Sequence, residues 1–270
     1  MTHPQQGFEM SWTVASWNVN SLNARLPQVV DWLRAAKPDV LLLQELKGVT
    51  ESFPHEAFME LGYSAAVHGQ KTYNGVAILA RERIEDVRIG LDGNDPDPTQ
   101  ARYIEALIGG KRRVASVYVP NGSEPGDPKY DYKMEFYKVL TALVKDRLAD
   151  EEAYFLGGDF NVAASPLDTH DPIGWQNRIL FTEAERAAFA RLCGAGLFDT
   201  YRLKQPQMRE YSWWDYRDGS FPQNRGARID YVLANAAALA GLADAHIDAA
   251  PRSNERPSDH TPVICSLSHG

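Results

Sequence analysis

The chain has 270 residues, of which 44% are hydrophobic and 24% charged, and its formal net charge is −8 at pH 7. This composition is typical of a globular protein, and no apolar run approaches the roughly 20 residues of a membrane span. An acidic chain binds polyanions poorly through bulk electrostatics, so contact with nucleic acid would require a local basic patch or metal ions. The cysteines, Cys193 and Cys265, show no metal-ligand spacing and are too few for a disulfide framework, so we expect a reducing cytoplasm.

The first residues of the chain differ from the rest. Residues 1–11 lack the basic start and the apolar core of a secretory signal, and we predict a disordered lead-in. The residues after them show no linker, repeat or low-complexity segment, and a chain of this length can bury a large core. We therefore predict one domain over residues 12–270.

The first two predicted strands each end in polar residues. The segment 12–17 is strand-like and runs into Asn18, and residues 26–36 then carry apolar side chains at helical spacing. Residues 40–43 form an unbroken apolar run, typical of a strand covered on both faces, and Glu45 follows it closely. Both polar positions therefore lie at strand ends, where a rigid element can hold them against other groups.

Helices and strands alternate through the rest of the chain. Apolar spacing predicts helices over 53–61 and 130–148, and a capping-box pattern at Thr182 and Glu185 opens a further helix. Further strands are predicted over 75–79, 102–108, 113–119, 154–156, 211–214, 228–233 and 263–265.

The strand over 228–233 contains a carboxylate. Tyr231 and Leu233 fall on one face of this strand and Asp230 on the other. Because burying an ionised group alone is costly, Asp230 needs a partner, and His260 is the candidate for an Asp–His pair. In total, roughly eight to ten strands alternate with helices, which predicts an α/β fold of sheets packed face to face with helices outside.

Polar residues collect at the predicted strand ends and in the loops that follow. Asparagine and aspartate after a strand often serve only as turn or capping residues, and each one alone has that alternative. Together they are rich in carboxylate and carboxamide oxygens, which suits a hard cation such as Mg²⁺ or Mn²⁺ rather than zinc. These residues are Asn18, Glu45, Tyr118, Asn121, Asp159, Asn161, Asp230, Asp259 and His260.

Seven motifs follow one another along the chain: Ser16-Trp17-Asn18-Val19-Asn20, Leu43-Gln44-Glu45-Leu46-Lys47, Tyr73-Asn74-Gly75-Val76-Ala77, Tyr118-Val119-Pro120-Asn121-Gly122, Gly158-Asp159-Phe160-Asn161-Val162, Arg228-Ile229-Asp230-Tyr231 and Ser258-Asp259-His260. In this order they resemble the exonuclease III family of apurinic/apyrimidinic endonucleases, within the endonuclease/exonuclease/phosphatase superfamily. The resemblance implies a four-layer α/β sandwich, in which two mixed β-sheets pack face to face with helices on the outside. It also implies Mg²⁺-dependent hydrolysis of the phosphodiester 5′ to an abasic site, with 3′–5′ exonuclease and 3′-phosphatase activity.

The resemblance also implies roles for the oxygen-rich residues. Glu45 would be the principal ligand of Mg²⁺, for which Mn²⁺ can substitute, with Asn18 and Asp259 assisting. Asp159 and Asn161 are further candidate ligands. In the family-based assignment Asp159 activates or orients the attacking water, while its chemistry leaves open a role on the leaving group or on a second metal.

The remaining catalytic candidates are hydrogen-bond donors and the group that orients one of them. His260, held by Asp230, would donate to a non-bridging phosphate oxygen, because an adjacent carboxylate favours the protonated imidazole. Tyr118 and Asn121 would supply further donors to the phosphate.

Cations and aromatic residues in or beside the motifs are the candidates for DNA binding, since an acidic chain must meet phosphates locally. Trp213 and Trp214 are candidates for a wall that receives a base-free sugar, with ordinary core aromatics as the alternative. Ala227 stands where the family usually has a bulky apolar residue that closes the abasic pocket, so we expect Ala227→Trp to sharpen abasic selectivity. The other candidates are Lys47, Lys71, Tyr73, Asn74, Arg102, Arg225, Arg228, Arg252 and Arg256.

Two other functions stay open. One is a phosphoesterase of the superfamily that acts on a non-DNA substrate such as a lipid headgroup or sugar phosphate. The other is a catalytically silent RNA-binding regulator, which would no longer need Glu45, Asp159 or His260. The Tyr-Val-Pro-Asn and Ser-Trp-Trp-Asp-Tyr stretches favour the DNA repair branch. The expected partner is therefore double-stranded DNA with abasic sites or 3′ ends, bound by a cytoplasmic, nucleoid-associated monomer that does not enter membranes.

Overall fold

A computed structural model of the protein describes residues 11–150 and 152–268, so residues 1–10 of the predicted lead-in lie outside the described residues, while Ser11 already belongs to the first strand. Within them the α-helices are α1 (Leu22–Ala36), α2 (His55–Met59), α3 (Pro128–Leu148), α4 (Glu183–Cys193) and α5 (Thr200–Lys204). The strands are β1 (Ser11–Asn18), β2 (Val40–Gln44), β3 (Ser64–His68), β4 (Val76–Ala80), β5 (Ile84–Ile89), β6 (Tyr103–Ile108), β7 (Arg112–Tyr118), β8 (Ala153–Asp159), β9 (Leu197–Asp199), β10 (Asp230–Asn235), β11 (Leu242–Ile247) and β12 (Val263–Ser268).

Two six-stranded mixed sheets form the centre of the molecule. Their strand orders are β11-β12-β1-β2-β4-β3 and β5-β6-β7-β8-β10-β9. The pairs β1–β2 and β7–β8 are parallel, whereas the other neighbouring strands are antiparallel. The predicted α/β sandwich of two mixed sheets is therefore confirmed. Among the described helices, none is both long and apolar enough to cross a membrane.

Apolar side chains fill three layers. Leu42 and Val232 belong to the cluster between the sheets, while Leu43 packs with Trp32 of α1 on the outer face of the first sheet. Tyr231 packs on the outer face of the second sheet with residues of α3 and α4. The unbroken apolar run of β2 is thus buried on both faces, and β10 alternates between two cores, as the sequence patterns predicted.

The strands missed in the sequence are the four sheet edges, β3, β5, β9 and β11. Four of the six residues of β5 are exposed, among them Val87 and Ile89, and β11 buries only Ala245, so neither strand shows a clear alternation of buried apolar and exposed polar residues. The interior strands were all predicted within a few residues. Edge strands bury only part of one face, which is why their sequences give a weak signal.

The predicted strand over 211–214 is wrong. Trp213 makes only isolated bridges, to Ala227 and to His260. Ser212 N–H donates to Ala227 O at 3.1 Å, and Trp214 N–H donates to Asp259 O at 3.0 Å. The segment therefore joins two loops and belongs to neither sheet. The helix predicted over 53–61 is also shorter and corresponds to α2.

Candidate active site

Five polar side chains meet where strands of the two sheets end. Asn18 ends β1, and Glu45 directly follows β2 in the first sheet. In the second sheet Tyr118 is the cross-strand partner of Asp159, and Asp159 is the partner of Asp230. The register of the sheets thus brings residues that are distant in sequence to one edge between the layers.

Two carboxylates are held face to face at this edge. The amide nitrogen of Asn18 donates to Glu45 Oε1 and to Asp159 Oδ2, both at 2.9 Å. Glu45, Asp159 and His260 each offer one ligand atom within 4.8 Å of the others, the one such group of three or more acidic, histidine or cysteine side chains in the described residues. Two carboxylates forced together are a donor set that fits a hard divalent cation, which would relieve their repulsion.

The other predicted ligands have hydrogen-bond partners within the protein. Asn18 turns its amide nitrogen to the carboxylates, and its oxygen accepts Asn20 N–H at 3.0 Å. The two oxygens of Asp259 accept from Asn20 Nδ2 at 2.9 Å and from Trp213 Nε1 at 3.0 Å. Asn161 Nδ2 donates to a backbone carbonyl, while its oxygen accepts from a neighbouring amide. A role of Asn18, Asp259 and Asn161 as ligands stays a prediction, and the carboxylates of Glu45 and Asp159 are the candidate ligands that the cluster contains.

The Asp–His pair is present in the structure. Asp230 is fully buried, and its Oδ2 lies 2.8 Å from His260 Nδ1. Ser212, which the sequence reasoning missed, donates its hydroxyl to Asp230 Oδ2 at 2.6 Å and accepts the Asp230 backbone N–H at 3.1 Å. Since a lone serine carries no sequence signal for this role, only its contact with Asp230 identifies it.

The electrostatics of the pair favour an imidazolium. Burial alone would lower the pKa of His260, but Asp230, Asp159 and Asp259 outweigh burial and raise the pKa to about 10. His260 Nε2 lies 3.7 Å from Asp159 Oδ2, so it faces the same space as the carboxylates. A ring protonated on both nitrogens is a hydrogen-bond donor and cannot ligate a metal.

Burial also shifts the pKa of the Asp159 carboxyl. Burial raises its pKa to about 7, with Asp230 and Glu45 adding to the effect and His260 opposing it. Its Oδ1 accepts the Asn161 backbone N–H at 2.9 Å, which fixes the carboxylate plane. Near neutral pH, a proton or a cation must therefore compensate this carboxylate.

Hydrogen-bond donors line the cavity on its other side. Burial and the charges of Glu45 and Asp159 raise the pKa of Tyr118 well above its usual range, so its phenol keeps its proton. Asn121 Nδ2 donates to Asn161 Oδ1 at 3.1 Å. The cavity has a volume of about 170 Å³, and its walls are Glu45, Tyr118, Asn121, Asp159, Asn161, Leu180, Trp213, Ile229, Asp259 and His260.

The backbone at this edge is strained. Asn20, Glu45, Lys47 and Asn161 have left-handed φ values of 45°, 54°, 55° and 49°. Non-glycine residues adopt this region at a cost, and such residues cluster at functional sites, where the surrounding contacts hold them.

Several predicted DNA contacts lie at the surface beside the cavity. Lys71 and Tyr73 are exposed, and Arg102 stacks its guanidinium 4.8 Å from the Tyr118 ring. Lys47 pairs with Glu45 Oε2 at 2.9 Å. Arg256 is exposed, Arg225 is half-buried, and Asn74 is buried with its amide donating to Gln70.

Arg228, by contrast, cannot reach a DNA phosphate. It is 1% exposed, and its guanidinium donates to Asp168 at 2.7 Å and pairs with Asp199 at 2.8 Å. The rings of Tyr201 and Tyr231 lie 4.9 Å and 4.4 Å from it. The prediction that Arg228 binds DNA is therefore wrong, because its guanidinium is buried and its binding partners lie within the protein.

Three further residues that were predicted to contact DNA also lie in the core. Arg252 is buried against the rings of Tyr216 and Phe221, and Trp214 packs edge-on against Phe221. Ala227 is fully buried in an apolar cluster and does not line the cavity. Of the two tryptophans only Trp213 lines the cavity. Ala227 packs against Leu180, Trp213 and Ile229 of the cavity wall, so the effect of its small side chain on abasic selectivity stays a prediction.

Comparison with known proteins gives a consistent result. Residues 15–260 match the Endonuclease/Exonuclease/phosphatase family. The chain is 34% identical over 261 residues to exodeoxyribonuclease III of Haemophilus influenzae, covering 92% of this chain and 97% of that protein. It is 32% identical over 260 residues to the DNA repair nuclease APEX1 of Danio rerio, covering 94% of this chain and 81% of that protein.

Two solved structures are similar over nearly the whole chain. A 3′ phosphatase from Neisseria bound to a product DNA hairpin has a TM-score of 0.92 at 41% identity, covering 96% of this chain and all of that one. An AP endonuclease from Archaeoglobus fulgidus has a TM-score of 0.91 at 35% identity, covering 95% of this chain and 99% of that one.

Proposed function

The chain belongs to the endonuclease/exonuclease/phosphatase family, and from this premise we propose how its cavity hydrolyses phosphate esters in damaged DNA. It is a DNA repair nuclease of the exodeoxyribonuclease III type, a metal-dependent phosphodiesterase. We propose Mg²⁺ as the metal and three activities: cleavage 5′ to abasic sites, 3′–5′ exonuclease and 3′-phosphatase. One observation carries the proposal: Asn18 holds the carboxylates of Glu45 and Asp159 together in front of a buried imidazolium.

Glu45 is the proposed principal ligand, and Asp159 shares the same space. A bound Mg²⁺ supplies positive charge to the phosphate oxygens as negative charge develops on them. Asp159 Oδ1 is fixed by the Asn161 N–H, and Oδ2 is directed into the cavity, where it can orient a water and accept its proton.

His260 is the proposed donor to a non-bridging phosphate oxygen. Its Nδ1–H is held by Asp230, so its Nε2–H points in a fixed direction into the cavity. Tyr118 and Asn121, which also line the cavity, are the other proposed donors. Because these donors are in place before substrate binds, they need not reorganise as charge develops in the transition state.

DNA would reach the cavity along an adjoining cleft. This cleft has a volume of about 520 Å³ and shares Tyr118 and Asn121 with the cavity. Arg102 and Lys129 line it, and Tyr73 offers an exposed ring. Local cations beside the site allow an acidic protein to bind a phosphate backbone. We also propose that residues 12–270 act as one domain, since both sheets contribute residues to the one cavity. We propose further that the protein is a cytoplasmic, nucleoid-associated monomer.

An assay with two substrates tests the proposal. One duplex carries a single tetrahydrofuran abasic analogue, and the other carries a 3′-phosphate at a nick. Wild-type protein should process at least one of them with Mg²⁺ and neither with EDTA, and Glu45→Gln should lose at least about 100-fold of each activity. If wild-type protein cleaves neither duplex but hydrolyses a lipid phosphate or a sugar phosphate, the substrate is not DNA and the proposal is wrong.

The ratio of the two rates decides between abasic cleavage and processing of 3′ ends. Leu180, Trp213 and Ile229 form the apolar wall of a cavity of only about 170 Å³. This limited volume favours work on 3′-terminal phosphates, the substrate named for the Neisseria protein. A faster rate on the nicked 3′-phosphate duplex would support that substrate, whereas a faster rate on the tetrahydrofuran duplex would support abasic cleavage.

A further inference from the structure

A buried lysine lies behind the cavity, outside the machinery described so far. Lys133 of α3 has no exposed surface, and its ammonium donates to Asn121 O at 3.0 Å and to Asn161 O at 2.7 Å. Its third partner is the carboxylate of Glu185 in α4, which is equally buried. Buried charges are rare unless they are paired, and this one is paired and also bonds two loops that bear site residues.

The carboxylate partner holds a third segment of the cavity wall. Glu185 Oε1 accepts Leu180 N–H at 3.1 Å, and Oε2 accepts Thr182 N–H at 2.9 Å as part of the capping box of α4. Leu180 is one of the apolar residues that line the cavity. The Lys133–Glu185 pair therefore connects the three wall segments that contain Asn121, Asn161 and Leu180.

Each of these segments contains a residue with a left-handed backbone conformation, at or next to the residue that hydrogen-bonds to Lys133 or Glu185. Asn161 has φ 49°, Leu180 has φ 72° and Gly122, next to Asn121, has φ 93°. A Cβ added at Gly122 would lie 2.9 Å from Lys133 Cδ, so the lysine stem packs directly on this turn. Such conformations persist only where neighbouring contacts over-determine them, and the buried pair provides those contacts.

From this geometry we propose that Lys133, paired with Glu185, is a positioning residue for the reaction: it sets the Asn121 and Asn161 loops so that their side chains and the Asp159 carboxylate face the substrate phosphate. The link to Asp159 is direct, because the Asn161 backbone N–H that fixes Asp159 Oδ1 belongs to the loop whose carbonyl Lys133 binds. The inference rests on the proposed function, since it assigns a part in that same reaction.

The test compares variants that remove this connection with one that removes a similar ion pair elsewhere. Lys133→Met alone would leave Glu185 buried and uncompensated, so the main variant is Lys133→Met combined with Glu185→Gln. The control is Arg147→Met, which breaks the pair of Arg147 with the buried Glu105 at 2.7 Å. Arg147 is 14 residues further along α3, about 21 Å along the helix axis.

Steady-state cleavage rates are measured over a range of duplex concentrations on the substrate that wild type processes, at a temperature where circular dichroism shows all variants to be folded. The double variant should lose about 10- to 100-fold in kcat, the size expected for loops displaced by a fraction of an ångström, with KM for the duplex within about twofold of wild type. The control should keep kcat within about twofold of wild type, even if its melting temperature falls by as much as that of the double variant.

A double variant that is folded and retains kcat within twofold of wild type would overturn the inference, as would an equal loss of kcat in the control. If the double variant does not fold, Lys133→Gln combined with Glu185→Gln decides in the same assay, because this pair of substitutions also removes both charges together, and the amide oxygen at position 185 can still accept from Leu180 N–H. These outcomes are separate from failure of the proposed function, in which wild type itself would cleave neither DNA substrate.

Discussion

Replacing Asp230 by asparagine should convert a pH-independent donor into a pH-dependent one. The carboxylate of Asp230 lies 2.8 Å from His260 Nδ1, and it is the largest of the charges that raise the pKa of His260 to about 10 against the effect of burial. At pH 8 a group with that pKa is about 99% protonated. Removing the charge while keeping the side-chain shape leaves burial to act on the imidazole with less opposition.

The size of the effect follows from the protonated fraction. If the pKa of His260 falls only to its ordinary value of 6.5, about 3% of the imidazole is protonated at pH 8 and about 76% at pH 6. Cleavage by Asp230→Asn should thus be about 30-fold slower than wild type at pH 8 and should approach wild type near pH 6, where the ring regains its proton. A divalent cation lowers the pKa of this histidine in both proteins, so the ratio of their rates is the quantity to compare.

Single-turnover rates of both proteins from pH 6 to pH 9 measure this ratio. Ser212→Ala is the control, since it removes the hydroxyl that donates to the Asp230 carboxylate at 2.6 Å and leaves the charge of Asp230 in place. The ratio of its rate to that of wild type should stay constant from pH 6 to pH 9, because Asp230 still keeps His260 protonated. A ratio of Asp230→Asn to wild type that is constant from pH 6 to pH 9 would refute the assignment of His260 as a protonated donor.

Four further substitutions have expected outcomes. Asp159→Asn should keep the fold and lose at least about 100-fold in turnover, the usual size for removing one positioned catalytic group, and near-normal cleavage would remove Asp159 from the mechanism. Glu45→Gln should raise the Mg²⁺ concentration for half-maximal rate at least about tenfold in a metal titration, whereas an unchanged value would exclude Glu45 as a ligand. Arg228→Met should cost about 3–5 kcal/mol of unfolding free energy in urea, because it leaves Asp199 without its cationic partner and the buried Asp168 with Arg202 alone, and an unchanged midpoint would contradict its buried role. Ala227→Trp should lower stability by about 1–3 kcal/mol through overpacking, and a stable variant with sharper abasic selectivity would return residue 227 to the pocket wall.

The sequence patterns predicted the interior of both sheets well. Strands such as β2 and β10 are buried on both faces, so their residues must be apolar or must alternate between two cores. The edge strands β5 and β11 are mostly exposed, and tertiary pairing rather than local pattern places them in the sheets. The segment 211–214 has strand-like residues, yet its hydrogen bonds go to two loops, which no local pattern could indicate.

The site was predictable where a polar residue ends a strand. Glu45 and Asp159 could be identified because strand ends of facing sheets meet at one edge. Ser212 and Lys133 could not, since their roles depend on partners far away in sequence. Arg228 was misassigned for the same reason: a charge beside a motif resembles a DNA contact until its buried partners are known.

In the proposed mechanism one divalent cation binds between Glu45 and Asp159 beside a protonated His260. Anomalous diffraction from a crystal soaked in Mn²⁺ would locate this cation. We expect a peak within bonding distance of an oxygen of Glu45 and close to Asp159, with no bond to a His260 nitrogen. A peak bonded to His260, or no peak at this edge while Mn²⁺ supports cleavage in solution, would contradict this mechanism.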